Sequence, residues 1–230
     1  MAKKLTAIIL ARGNSKGIKK KNIIPFKKKP LIYWTIKDCK KSLSINNIWV
    51  STDCSQIRKF CLKQGVNVID RPKKISDDKS TSEDGWMHSI LKIEREFKLK
   101  DIIVLQATSP IRGSNDIDLA YDKFLKMKYD SLFSSVRIEN YFNWKIEKKN
   151  LKPLFNNKIR PMRQHINYQF QENGSFYIFK SNGFKKKRNR LFGKIGTFEQ
   201  KKFKSFQIDD IEDLNFLENI AKYYLNDKKI

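Results

Sequence analysis

Short apolar or β-branched runs recur along the chain at Thr6–Leu10, Ile48–Ser51, Val66–Ile69, Ile102–Leu105, Ser131–Val136, Ser175–Phe179 and Lys204–Ile208. Between the early runs, apolar positions fall at helical spacing over Pro30–Ser42, Ser55–Gln64, Ser82–Phe97 and Ser114–Lys128. Pro30 suits a first helical position, and Ser82 or Thr81 suits an N-cap. Continuous apolar strands alternating with amphipathic helices predict an α/β, Rossmann-like fold, a mostly parallel sheet with helices on both faces. The rhythm breaks between about residues 139 and 171, where Tyr141, Phe142, Trp144, Phe155, Tyr168 and Phe170 mix with lysines, Pro153 and Pro161. That segment reads either as an excursion packing on another subunit or as a long ordered loop. The chain closes with Asp210 placed as an N-cap, Asp213 at the third helical position, and Leu214, Leu217, Ala221 and Tyr224 at helical spacing. The cluster Lys185–Arg190 reads as a solvated loop.

Composition narrows the class. A chain of 230 residues with 40% apolar and 12% aromatic positions can bury a core without staples, and one domain spanning residues 1–230 is expected. No apolar run approaches the roughly 18–20 residues of a membrane helix. The start, Met1 to Leu10, reads as a first buried strand rather than a signal peptide, since no small-x-small site follows; a cytoplasmic protein with no membrane partner is expected. Three cysteines (Cys39, Cys54, Cys61) form no C-x-x-C pair, against a disulfide framework. Two histidines, His88 and His165, leave little for a His-rich zinc site or a Ser-His-Asp triad. The net charge of +25 invites a nucleic-acid reading. The charge is a diffuse lysine bias without finger, basic-region or RNP signature, so no nucleic-acid partner is expected. An anionic small molecule is compatible with it.

Candidate chemistry concentrates after the first strand. Ala11-Arg12-Gly13-Asn14-Ser15-Lys16-Gly17, followed by Lys20-Lys21-Asn22, combines backbone-exposing glycines with cations and a hydroxyl, the ingredients of a triphosphate cradle. It matches neither a Walker loop nor a dinucleotide fingerprint; a Gly/Lys-rich surface turn would look similar, and phosphate binding is the favoured reading. Asp53, at a strand end, suits either a turn cap or a ligand contact.

Further motifs follow in order: Val50-Ser51-Thr52-Asp53, Arg71-Pro72, Ser80-Thr81-Ser82, Leu105 to Arg112 (LQATSPIR), Glu172 to Ile178 (ENGSFYI) and Ile208 to Leu214 (IDDIEDL). From about Ile8 to Glu218 the series resembles the acylneuraminate cytidylyltransferases (CMP-sialic acid synthetases). The resemblance implies that Ala11, Arg12, Gly13, Ser15, Lys16 and Asn22 form the CTP loop, with Lys21 a nearby phosphate contact. It places Arg71, Ser80 and Ser82 on the nucleotide, and Gln106, Arg163, Gln164 and Asn173 on the sugar. Asp209 would hold Mg²⁺, with Gln207 a neutral candidate beside it; Arg12, Lys16 and Asp209 would carry catalysis. The implied reaction transfers CMP from CTP to the anomeric hydroxyl of an acidic nine-carbon sugar and releases pyrophosphate. The excursion would be the dimerisation arm of a homodimer. Departures include Gln207-Ile208-Asp209 where relatives commonly read Asp-Ile-Asp, Ala107 where many have proline, and Gln171 where some have arginine. A CMP-KDO synthetase is disfavoured by Thr108, where those enzymes carry an acidic residue. Legionaminic and pseudaminic acids stay open as substrates, and a basic non-enzymatic binding module is the rival from another class.

Overall fold

The computed structural model describes residues 5–15, 17–138, 142–159, 162, 165 and 169–224. In chain order the elements are β1 (Leu5–Leu10), β2 (Pro25–Phe26), β3 (Lys29–Pro30), α1 (Leu31–Lys41), β4 (Ile45–Thr52), α2 (Ser55–Lys63), β5 (Asn67–Asp70), α3 (Ser82–Ile93), β6 (Asp101–Leu105), α4 (Ser114–Lys126), β7 (Ser131–Ile138), β8 (Trp144–Glu147), β9 (Asn150–Pro153), β10 (Gln169–Lys180), α5 (Ser181–Lys187), β11 (Ile195–Glu199) and α6 (Ile211–Tyr224). Among the described residues, seven strands form the main sheet in the order β11-β7-β10-β6-β1-β4-β5. β1 runs parallel to β4 and β6, β4 to β5, and β7 to β11, while β10 is antiparallel to both β6 and β7. The α/β expectation from the apolar rhythm holds.

Two-residue alternation sends successive side chains to opposite faces. Ala7, Ile9, Ile103, Leu105, Phe176 and Ile178 pack with Ile36 of α1, Ile57 of α2 and Phe124 of α4. Ile8, Ile102, Val104, Tyr177 and Phe179 pack instead with Trp86 and Ile90 of α3 and Phe184 of α5. A third cluster joins Phe26, Ile111 and Ile208 to Leu217 and Ala221 of α6.

The start of α3 shows how local sequence sets the site. Thr81 is the N-cap, its hydroxyl accepting from Asp84 N while the Asp84 carboxylate accepts from Thr81 N, a capping box. The helix then buries Trp86, Met87, Ile90 and Ile93, each stabilising by about 1.5–3 kcal/mol. Gly85 allows the close approach: a Cβ there would lie 2.8 Å from Leu10 Cδ1. The expected Asp210–Asp213 start of α6 is also present, Asp210 Oδ1 accepting from Asp213 N and Asp213 Oδ2 from Asp210 N.

Four local expectations are corrected. Lys204–Ile208 is not a strand. A single 3-10 turn at Lys202–Lys204 precedes it, Lys204 Nζ is tied to Asp116 at 2.9 Å, and Ile208 is buried beneath α6, so side-chain anchors replace a ladder. A short edge strand, β11, occurs where none was expected. The excursion is narrower than 139–171, because Phe170 and Gln171 already pair with Arg137 and Val136. The Lys185–Arg190 cluster is pinned rather than solvated at two points. Lys185 meets Glu94 at 2.6 Å, and Arg190 meets Glu83 at 2.7 and 2.9 Å while stacking over Trp86 and Tyr177.

Candidate active site

In open α/β sheets ligands bind beyond the carboxyl ends of the strands, where the order reverses. Here that reversal lies between β1 and β6, and a cavity of about 590 Å³ opens beside it. Arg12, Ser15, Gly17, Lys21 and Asn22 line one wall, Arg71 and residues 75–78 and 80–82 a second, and Gln106, Thr108, Gln207 and Asp209 a third.

The loop after β1 is held from behind. Ala11 N donates to Ser51 O, Gly13 N donates to Asp53 Oδ1 at 2.8 Å, and Asn22 Nδ2 donates to Arg12 O at 2.9 Å. Asp53 therefore serves as a loop clamp, and Ala11, Gly13 and Asn22 shape the backbone. Cys54 packs against Gly13 so closely that a Cβ there would lie 2.9 Å from its Cβ.

Arg71 is the most telling side chain. It is 7% exposed, lines the cavity, and its Nε and Nη2 have no hydrogen-bond partner. Burial lowers its pKa, Asp53 opposing and Arg12 reinforcing the shift. A largely buried cation that lines a cavity and has donors without partners suits an anionic or carbonyl ligand nearby. Ser82 is the first residue of α3 and lines the cavity, the cap falling to Thr81. Ser80 Oγ donates to Asp77 Oδ1 at 2.6 Å, which holds that carboxyl below its ordinary pKa.

On the third wall, Gln106 reaches the cavity while its backbone oxygen accepts from Arg112 Nη2 at 2.9 Å. Asn173 does not line it. Its side chain is buried, accepting from Ser134 Oγ and Ser175 N and donating to Gln200 Oε1, so its role in the geometry is to hold neighbours. Gln207 Oε1 accepts from Thr108 Oγ1 at 3.2 Å and its Nε2 donates to Asn173 O. Asp209 stands at the rim with Oδ1 2.8 Å from Lys21 Nζ. Lys16, Arg163 and Gln164 lie outside the described residues.

Among the described residues no group of three His, Cys, Asp or Glu side chains could cage a metal. The donor set still fits Mg²⁺, because this ion typically takes one or two carboxylates, waters and substrate phosphates rather than an all-protein cage. Asp209, exposed at the cavity edge, supplies such a carboxylate. Sequence reasoning missed Thr108, Asp77 and Asp78. The acidic pair could have been found, since it lies between Arg71-Pro72 and Ser80-Thr81-Ser82 and must share their loop.

A family model described as "Cytidylyltransferase" matches residues 6–230. The chain is 40% identical over 182 residues to N-acylneuraminate cytidylyltransferase A of Danio rerio, covering 76% of this chain and 41% of that protein. It therefore spans about two fifths of the length of that relative, as it does of a second one from Oncorhynchus mykiss. Post-translational flagellin modification protein B of Campylobacter coli is 32% identical over 221 residues, 93% of each chain. Pseudaminic acid cytidylyltransferase of Campylobacter jejuni is 28% identical over 220 residues, 94% of this chain and 95% of that one. Among solved structures, a CMP:2-keto-3-deoxy-manno-octonic acid synthetase complexed with CTP superposes with a TM-score of 0.69 at 12% identity, covering 96% and 99% of the two chains, which supports the fold alone. With the model match running from the first strand to the end of the chain, the protein belongs to the cytidylyltransferase family.

Proposed function

We propose that this chain transfers CMP from CTP to the anomeric hydroxyl of a nonulosonic, sialic-type acid and releases pyrophosphate. The observation that carries the reading is the asymmetry of the cavity. Arg12, Lys21 and the buried Arg71 gather on two walls, Arg12 and Lys21 held by the exposed carboxylates of Asp78 and Asp209, while the third wall carries the neutral polar groups of Gln106, Thr108 and Gln207, a layout suited to a nucleotide triphosphate beside a hydroxyl-rich sugar. The names of the fish and Campylobacter relatives support the acid class.

The anomeric oxygen attacks the α-phosphorus and gives up its proton to solvent, the bond to the β-phosphate bridging oxygen breaks, and its electron pair leaves with pyrophosphate. No histidine lines the cavity among the described residues, so positioning and charge neutralisation carry the rate. Arg12 and Lys21 bind phosphate oxygens, with Lys16 as a further cation of the same loop. Arg71 places a third positive charge on the nucleotide side, and Gln106 orients the sugar. Asp209 would hold Mg²⁺, which neutralises phosphate charge when bound; Gln207 is the neutral neighbour. The excursion, carrying Arg163 and Gln164, packs on a second copy, making a cytoplasmic homodimer. Exposed Ile146 and Leu151, 78% and 69% accessible, support that partner.

The test is pyrophosphate release from CTP and Mg²⁺ against sialic, legionaminic and pseudaminic acids and KDO, with ATP and GTP as controls. Turnover with CTP and at least one nine-carbon acid is expected. Folded protein that releases no pyrophosphate with any of them refutes the assignment.

A further inference from the structure

The cavity neutralises its own cations. Arg12 Nη1 lies 3.0 Å from Asp78 Oδ1 and donates to Asp77 O, also at 3.0 Å. Arg12 belongs to the loop after β1 and Asp78 to the segment between β5 and α3, so this pair crosses from one wall to the other. The turn that presents Asp78 is built for the purpose: Asp77 Oδ1 accepts from Lys79 N, Ser80 N and Ser80 Oγ. Lys21 and Asp209 form a similar pair. On the proposed reading Asp209 would have an exchange partner when nucleotide arrives, since its carboxylate would hold a phosphate-borne cation. Asp78 has no such part in the reading above, and an entering triphosphate must both displace it from Arg12 and approach its negative charge.

Resting on the reading of the cavity as a nucleotide site, we infer that Asp78 sets nucleotide affinity. It is a carboxylate latch on Arg12 that is exchanged for phosphate oxygens on binding and closes again as pyrophosphate leaves. The two side chains are 33% and 48% exposed, so the latch is weak and reversible. It lowers affinity modestly and keeps the leaving anion from lingering on Arg12.

The experiment is calorimetric titration of CTP, with and without Mg²⁺, into wild type, Asp78→Asn, Arg12→Ala, the Arg12→Ala/Asp78→Asn double variant and Asp122→Asn. Asp122 is an exposed carboxylate on α4 and controls for total charge. Asp78→Asn is expected to bind CTP about three- to tenfold more tightly, Asp122→Asn to match wild type, and the Arg12→Ala background to lose at least half of the gain. Wild type that binds CTP alongside an Asp78→Asn variant that is no tighter overturns the latch alone. Weaker binding by Asp78→Asn only when Mg²⁺ is present overturns it in favour of a cation ligand. Wild type that binds no CTP refutes the nucleotide reading, and the latch with it.

Discussion

Arg112 has no exposed surface, yet it lies one layer behind the cavity. Its Nε donates to Ser175 Oγ at 2.9 Å, and its Nη2 donates to Gln106 O at 2.9 Å and Ser175 O at 2.6 Å. It therefore ties the end of β6 to β10. Arg112→Met would remove these three bonds and the buried cation beside Asp38, leaving Ser175 O only Gln106 N and Gln106 O only the longer contacts from Thr35 Oγ1 and Ser109 N, and should cost about 3 kcal/mol in urea unfolding; a loss under 1 kcal/mol would show the ties to be dispensable. Close to it, burial pushes Asp38 up to about 6, with Arg112 and the Gly113 N–H pulling it down. A carboxyl whose folded pKa is raised keeps its proton longer than the unfolded chain does. Its contribution to stability thus falls as pH rises from about 4 to about 6. Asp38→Asn should remove that fall, so urea midpoints at pH 4.5 and 7 should diverge between variant and wild type toward pH 7; parallel profiles would contradict the shift. Gln207 makes a third case. With its amide bridging Thr108 and Asn173, Gln207→Asp removes the donor to Asn173 O. Turnover should drop several-fold with the half-saturating Mg²⁺ concentration unmoved, whereas a shift to lower Mg²⁺ would place residue 207 in the metal site. None of these roles is written locally in the sequence. Arg112 ends a readable motif, but its burial depends on Ser175, 63 positions away.

Elements were more legible than residues wherever period and cap agreed. β1, β6, α1, α2, α4 and the α3 capping box follow from apolar spacing and Thr81-x-x-Asp84. β11 escaped because a five-residue edge strand with Gly196 as its second residue offers little alternation, its Gly–Leu132 pairing being set by β7. The β2–β3 and β8–β9 hairpins escaped for a different reason. Both turns are Lys-Lys, with Lys27 and Lys28 at φ 49° and 63°, and Lys148 and Lys149 at φ 49° and 71°. Tight hairpins with positive φ at both central positions favour Asn-Gly, and lysine carries a Cβ penalty there. Lys27→Asn/Lys28→Gly should therefore stabilise by about 1 kcal/mol, or roughly 2–4 °C in Tm for a chain of this size. A lower Tm in differential scanning calorimetry would show that the Lys27 and Lys28 side chains contribute more than their backbone strain costs.

At the scale of the whole molecule, the sequence disclosed which loops gather at the site, because in a parallel sheet every strand's carboxyl end lies on one edge. It did not disclose which side chains face the cavity and which stand behind it, as with Asn173, since that depends on side-chain partners from β7 and beyond β11. Assembly is the scale at which the proposed second copy is tested. Ile146 and Leu151 are cross-strand neighbours in the β8–β9 hairpin and both are exposed. Replacing both by Asp should convert a dimer into a monomer by light scattering and lower turnover at least tenfold. A wild-type protein that is monomeric and fully active would reject the arrangement.

The reversed direction of β10 has a consequence for how such a fold can vary. Because β10 runs against its neighbours, its first residues pair with the last residues of β7, Gln169 facing Ile138. The segment between them therefore leaves and rejoins the sheet at one place. The segment can lengthen, shorten or change character without re-threading a strand or altering the sheet's order. The parallel strands hold the loops that line the cavity constant, and one hinge point becomes the place where a lineage can vary what the proposed acceptor and the proposed second copy would meet.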